Sequence, residues 1–200
     1  MGFRIIGLLG SPLLHGNTAR LLDAALRGAS DAGCEVEKIE VAHLTFRSCR
    51  EIFYCREHET CAMKDDMIAI YEKFRELDSL IVATPVMTMG IPGALKSFMD
   101  RFQVFFMAKY IRKRSLVPES RRAHRRGLYL GISGMKIPNV FDGAKMTMKA
   151  FFSIIDVEYW DDLLISDMDT IQDLATRPDL LESAYRKGYE MGRLLVEGSS

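Results

Sequence analysis

Three loops and one cysteine-bearing segment hold the residue types that could do chemistry. The first loop, residues 10–18, reads Gly-Ser-Pro-Leu-Leu-His-Gly-Asn-Thr and leads from an apolar run into a helical pattern. Free backbone N–H groups at a helix start favour a phosphate. Ser11, Asn17 and Thr18 add short side-chain donors, and Gly16 permits close backbone approach. The same residues would also serve as a plain helix cap. No Gly-Lys-Ser/Thr follows and there is no G-x-G-x-x-G, which excludes the common nucleoside triphosphate and dinucleotide loops. The second loop lies within residues 83–93 and contains Pro85, Val86, Met87, Thr88 and Gly90; the third, residues 132–135, contains Ser133 and Gly134. Met87 and Met89 could equally be ordinary core. Phosphate donors on one loop, with apolar side chains and backbone amides on the others, suit a planar phosphorylated cofactor. Three of the four cysteines, Cys49, Cys55 and Cys61, fall in residues 43–64, which have neither helical nor strand period.

The elements that must position these loops follow from periodicity. Residues 3–9 form an apolar run that predicts a buried parallel strand. Residues 18–32 repeat apolar positions at helical spacing, and Gly33 marks the stop. Residues 35–41 alternate and predict a second strand. Asp65 and Asp66 suit the start of a helix running to Leu77. Residues 79–84, 127–133 and 157–165 predict three further strands. Helices are expected over 141–156 and 178–195, and one long helix from Pro92 through Phe106. Strand and helix alternate throughout, the pattern of a doubly wound α/β sandwich. The expectation is one domain over residues 1–200, with a cysteine-containing loop at 43–64.

Twenty-seven Lys and Arg balance twenty-seven Asp and Glu among 200 residues. This zero net charge argues against nucleic acid as a partner. No apolar run reaches membrane-spanning length, so no membrane association is expected. The N-terminal residues lack a charged leader and a small-residue cleavage site, which predicts a cytoplasmic protein with reduced cysteines. Charge is uneven, however. Residues 109–126 hold eight basic side chains and one acid, whereas residues 156–173 hold seven acids and no Lys or Arg. The blocks are read as solvated surface, as a subunit contact pairing the two, or as an anion site such as one for the 2′-phosphate of NADPH.

The chain resembles the NADPH-dependent FMN reductases and iron–sulfur flavoproteins of flavodoxin-like fold. Three stretches carry the likeness: the opening Gly10 to Thr18; Lys64-Asp65-Asp66-Met67 after the cysteine segment; and Pro85-Val86-Met87 followed by a G-x-L-K-x-F-x-D-R pattern from Gly93 to Arg101. The resemblance implies a flavodoxin-like five-stranded parallel sheet and a bound FMN. Its phosphate would sit on Ser11, Gly16, Asn17 and Thr18, and its ring against Pro85 to Gly90 and near Ser133 and Gly134. Leu13 stands where the family often has Arg, with His15 as a substitute, and Met87 stands where an aromatic is usual. The family's cysteine motif maps onto Cys49, Cys55 and Cys61, with Ile52 in place of the second cysteine. His58 is the candidate fourth ligand for a [4Fe-4S] cluster or for zinc; free thiols without metal are the alternative.

The leading expectation is an FMN-dependent oxidoreductase that takes electrons from NAD(P)H and passes them to a quinone, a flavin, or another small-molecule or protein acceptor. No side chain is assigned as acid or base, because the chemistry belongs to the flavin. The alternatives are an electron carrier without substrate turnover and a metal-binding module without flavin. A homodimer or tetramer is expected, because Phe102, Phe105, Phe106 and Tyr110 offer more apolar surface than one sheet face needs.

Overall fold

The computed structural model describes residues 2–198; Met1, Ser199 and Ser200, which the single-domain expectation includes, lie outside them. Five strands, β1 (Arg4–Leu9), β2 (Glu35–Glu40), β3 (Ser79–Pro85), β4 (Arg126–Ile132) and β5 (Glu158–Ile165), form one sheet in the order β2-β1-β3-β4-β5. Every neighbouring pair is parallel. This is the flavodoxin-like doubly wound order, whose chain reverses direction of growth between β1 and β3. The helices are α1 (Asn17–Asp31), α2 (Met67–Glu76), α3 (Gly93–Asp100), α4 (Gln103–Phe106), α5 (Glu119–Arg122), α6 (Asp142–Ile154), α7 (Met168–Ile171) and α8 (Pro178–Glu197).

The sheet is buried on both faces. On one side α1 and α8 cover Ile5, Leu9, Ile81, Leu128 and Leu130. On the other, α2, α3 and α6 cover Ile6, Leu8, Leu80, Val82 and Tyr129. The unbroken apolar strands of the sequence are thus explained, since alternate residues feed opposite cores. The helix pair α1–α8 packs backbone to backbone. A Cβ on Gly188 would stand 1.9 Å from the Ala25 carbonyl oxygen, and one on Gly28 2.0 Å from that of Tyr185. Glycine at both positions allows an approach that no other residue permits.

The long helix expected from Pro92 through Phe106 is broken. Arg101 and Phe102 donate i→i−3 bonds to Phe98 and Met99 (3.1 and 3.0 Å), and after α4 the chain passes through a π-helical turn, Met107–Ile111. Apolar spacing reports which residues face the core; it is blind to a hydrogen bond that shifts by one residue. Phe102 and Phe105 are buried in the main core rather than left over for a partner, and Tyr110 bonds to the Ser153 hydroxyl. The charge blocks are also consumed largely within the chain. Arg121 binds Asp78, Lys109 binds Asp156, Lys187 binds Asp161 and Lys145 binds Asp162. Arg125, read as part of a basic surface, is buried and donates to the terminal carbonyls of Ile155 and Phe74 (2.9 and 2.7 Å). Burial depresses its pKa to about 10.

Candidate functional site

The loops after β1, β3 and β4 lie side by side, because those strands are neighbours and parallel. They meet at the carboxyl edge, next to the reversal between β1 and β3, where open α/β sheets take ligands. Gly10 donates to Ala83 O (2.8 Å), and a Cβ there would stand 2.4 Å from the Leu95 side chain, so glycine lets the first loop leave the sheet beneath α3. Helix α1 starts at Asn17 with Gly16 as its cap, and no side chain closes that end. Ser11 and Thr18 are buried. The Ser11 hydroxyl accepts from Leu13 N (3.1 Å) and keeps its own proton to give; the Thr18 hydroxyl has no partner among the described residues. Hydroxyl donors left available at an uncapped helix start fit a phosphate.

Asn17 has a second job besides the one its position suggests. Its side-chain amide donates one N–H to Gln172 O (2.7 Å) and accepts from Leu174 N (3.0 Å), which leaves its second amide N–H and its backbone N–H for an anion. His15 is exposed at the loop tip, and Leu13 is 68% exposed.

The second loop is strained. Met87 and Gly90 exchange N–H···O bonds of 2.9 and 3.0 Å, enclosing Thr88 and Met89, and both enclosed residues have positive φ (49° and 60°). Such two-residue turns favour Asn-Gly, because left-handed backbone costs other residues roughly 1–2 kcal/mol each. Strain of this kind concentrates at functional sites. Met87 and Met89 are each 44% exposed and Met135 is 54% exposed, so these methionines are not core. They form an apolar ledge beside the phosphate-type loop, the shape a flat ring would cover. Val86 N donates to Ile132 O (2.7 Å), tying the second loop to the third.

A fourth segment, residues 166–176, is a support that the sequence reading missed. Ser133 N reaches Ile165 O (2.8 Å), and Met168 N and Asp169 N reach Ser133 O and Gly134 O (both 3.1 Å). With the Asn17 contacts, this segment braces the first and third loops together. The hint in the sequence was Asp-x-x-Thr after a strand: Asp167 has φ 70°, and its carboxylate accepts from Thr170 (2.7 Å).

The cysteine segment lies apart, beside α3 and the π-helical turn. Cys49, Cys55 and Cys61 line one cavity of about 430 Å³ with Ile52, Met63, Gln103 and Met107. Burial, then the neighbouring Cys61 and Cys49, push the Cys55 thiol up, and Arg112 only partly opposes them. His58 is not a lining residue. Its ring stacks on Tyr54 at 3.7 Å, and its Nδ1 lies 3.0 Å from Tyr54 O. Among the described residues, no three Cys, His, Asp or Glu side chains are arranged to hold a single metal ion. That arrangement does not suit zinc, which needs its ligands to converge on one point. A cubane differs, because each thiolate binds a different iron around the wall of a cavity. Three soft thiols around one space fit that donor chemistry.

Nor is this segment the weakly structured loop that its lack of period suggests. Arg101, 1% exposed, grips Asp65 through two bonds (2.6 and 3.0 Å) and donates to Arg47 O (2.7 Å). Burial disfavours the Asp65 carboxylate, but the Arg101 hydrogen bonds and charge, with the N–H groups of Arg47 and Met67, outweigh it and hold the pKa below the usual range. The K-D-D and D-R motifs of the sequence are therefore bonded to each other, closing the segment at its two ends. Arg112 clamps the middle, donating to the carbonyls of Cys55 (2.5 Å), His58 (3.2 Å) and Arg56 (3.3 Å).

Comparison with known proteins bears on the family and the fold. An iron–sulfur flavoprotein of Methanosarcina thermophila is 36% identical over 98 residues, 49% of this chain and 51% of its own. One from Archaeoglobus fulgidus is 34% identical over 98 residues, 49% of this chain and 44% of its own. The chain spans about half the length of the curated relatives it matches. Among solved structures, the NAD(P)H:quinone oxidoreductase from Methanothermobacter marburgensis superposes with a TM-score of 0.68 at 20% identity, covering 96% of this chain and 98% of its own. Smu.1420 from Streptococcus mutans superposes at 0.73 with 18% identity, covering 94% and 100%. These two likenesses establish the fold. The pattern of the NADPH-dependent FMN reductases matches residues 3–134, and the chain belongs to that family.

Proposed function

We propose that the protein binds FMN at the carboxyl edge of the sheet and acts as an oxidoreductase, taking electrons from NAD(P)H and passing them to a quinone, a flavin or another acceptor. The carrying observation is the uncapped start of α1, with the Thr18 hydroxyl left free of protein partners, beside the exposed methionine ledge. Bound FMN supplies hydride acceptance and release of electrons singly or in pairs. The chain's own residues bind and orient. The N–H groups at the start of α1 and the Ser11 and Thr18 hydroxyls take the phosphate. The Thr88–Met89 turn presents backbone amides and thioethers to the ring. Ser133 and Gly134, braced by residues 166–176, complete the wall. No side chain at this edge is needed to move a proton to carbon or oxygen of a substrate.

The cysteine cavity is read as an iron–sulfur site, supported by its three thiols and by relatives named iron–sulfur flavoproteins. The apolar ledge is also a face that a second copy of the chain would cover, which keeps a homo-oligomer as the proposed assembly. The decisive experiment adds FMN to flavin-free protein and follows fluorescence quenching, then measures NADH and NADPH oxidation with and without a quinone under nitrogen. Quenching with quinone-dependent turnover supports the reading. Quenching without turnover supports the electron carrier, and absence of quenching overturns the flavin site.

A further inference from the structure

The segment that braces the third loop also carries a charge to it. Asp169 N donates to Gly134 O (3.1 Å), next to the Met168 N contact with Ser133 O (3.1 Å). The Asp169 carboxylate then lies over Gly134. A Cβ at that position would stand 2.4 Å from Asp169 Oδ1 and 2.9 Å from Oδ2, so glycine leaves the carboxylate its room. The Asp169 side chain is exposed and, among the described residues, takes neither a hydrogen bond nor an ion pair. Its acidic neighbours are occupied: Asp167 accepts from Thr170, and Asp173 is paired with Arg20. Lys136, two residues along the third loop from Gly134, is exposed and forms no ion pair with Asp169. Asp142, beside Gly143 at the start of α6, is exposed too and adds charge of the same sign. A Cβ on Gly143 would stand 2.4 Å from Met89 O, which puts that end of α6 against the second loop.

The flavin reading lays the ring of FMN near Ser133 and Gly134. Adding two electrons and one proton to FMN leaves the ring with one more negative charge than before. A fixed, unpaired carboxylate beside the ring opposes that added charge. The FMN phosphate carries the same charge in both oxidation states, so Asp169 acts on it equally in each. The ratio of reduced to oxidised affinity therefore reports the effect on the ring alone.

Resting on the flavin reading above, we propose that Asp169 lowers the reduction potential of FMN bound at this edge, and so makes the reduced protein a stronger electron donor. The test uses the full chain loaded with FMN. Fluorescence quenching gives the affinity for oxidised FMN. Dithionite titration under nitrogen against an indicator dye gives the potential of bound FMN. Linkage converts the two into the affinity for reduced FMN. Asp169→Asn is expected to raise the potential, equivalent to about a tenfold gain in affinity for reduced relative to oxidised FMN, the scale of one unit charge acting over several ångströms of partly wet surface. Asp169→Glu keeps the charge and stays nearer to wild type than Asp169→Asn does. Glu190→Gln, the same loss of charge in the middle of α8, leaves the ratio unchanged.

Absence of quenching in the wild type overturns the flavin site and this proposal with it. Quenching with the same potential in wild type and Asp169→Asn overturns the role of Asp169 and leaves the flavin site standing. A shift of equal size in Glu190→Gln makes the effect one of net charge and overturns the proposal. So does an Asp169→Glu protein that follows Asp169→Asn, because the charge is then not the cause.

Discussion

Replacing Asp65 with Asn tests whether an ion pair, rather than a metal, organises the cysteine segment. The Arg101 guanidinium is 1% exposed and its two Asp65 bonds are 2.6 and 3.0 Å. Its Nε has no partner, so the carboxylate is its main compensation. Removing one member of such a pair leaves a buried charge unmatched and costs about 3–5 kcal/mol. For a domain of this size, each kcal/mol moves the melting temperature by about 2–4 °C, which predicts a fall of about 6–20 °C. The pH dependence has a definite sign. Asp65 has a folded pKa below its unfolded value, so the pair stabilises the protein fully above the ordinary carboxylate range, about 4. That contribution is lost as pH falls through the folded value. Asp65→Asn flattens this part of the acid profile. The assay is thermal unfolding of metal-free, flavin-free protein by circular dichroism, with the rate at which a thiol reagent modifies Cys49, Cys55 and Cys61 as a local readout. The variant's thiols should react faster. Replacing both partners with Met should recover most of the loss, because the two effects are coupled rather than additive. A single-variant cost below about 1 kcal/mol, or wild-type thiol reactivity in metal-free Asp65→Asn, would refute the argument.

Gly188→Ala puts a methyl group 1.9 Å from the Ala25 carbonyl oxygen, forcing α8 off α1; a loss of about 1–3 kcal/mol in denaturant titration is expected, and no loss would mean the helices do not pack this closely. Thr18→Val keeps shape and removes the hydroxyl. One hydrogen bond to a charged group is worth about 1.5–3 kcal/mol, so FMN affinity should fall about tenfold to a hundredfold, and an unchanged titration would remove Thr18 from the site. Met89→Gly relieves a positive-φ residue of 60° and should raise the flavin-free melting temperature while weakening FMN binding; a lower melting temperature would show that the turn is not strained. Light scattering at micromolar concentration should find a homo-oligomer that covers the exposed methionine ledge, and a monomer would contradict the proposed assembly.

The alternation of buried strands and amphipathic helices was legible in the chain itself, because residue spacing of two or 3.6 is a local consequence of backbone geometry. So were the three loops at the sheet edge and the grouping of Cys49, Cys55 and Cys61. The break at Arg101 and Phe102 was not, since an apolar pattern does not record which carbonyl an N–H chooses. Nor was the left-handed turn at Thr88 and Met89, which lacks the Asn-Gly that normally marks one. Asn17 reads as a phosphate donor alone until the segment after β5 arrives from 155 residues away and takes one of its amide N–H groups. The basic block reads as surface until the fold buries Arg125 among helix-end carbonyls and spends Arg112 on the backbone beside Cys55. Sequence sets each side chain's type and the face it takes on its own element. Which partner satisfies a polar group is decided only when distant segments meet, because hydrogen bonds and ion pairs act over a few ångströms of space and not along the chain.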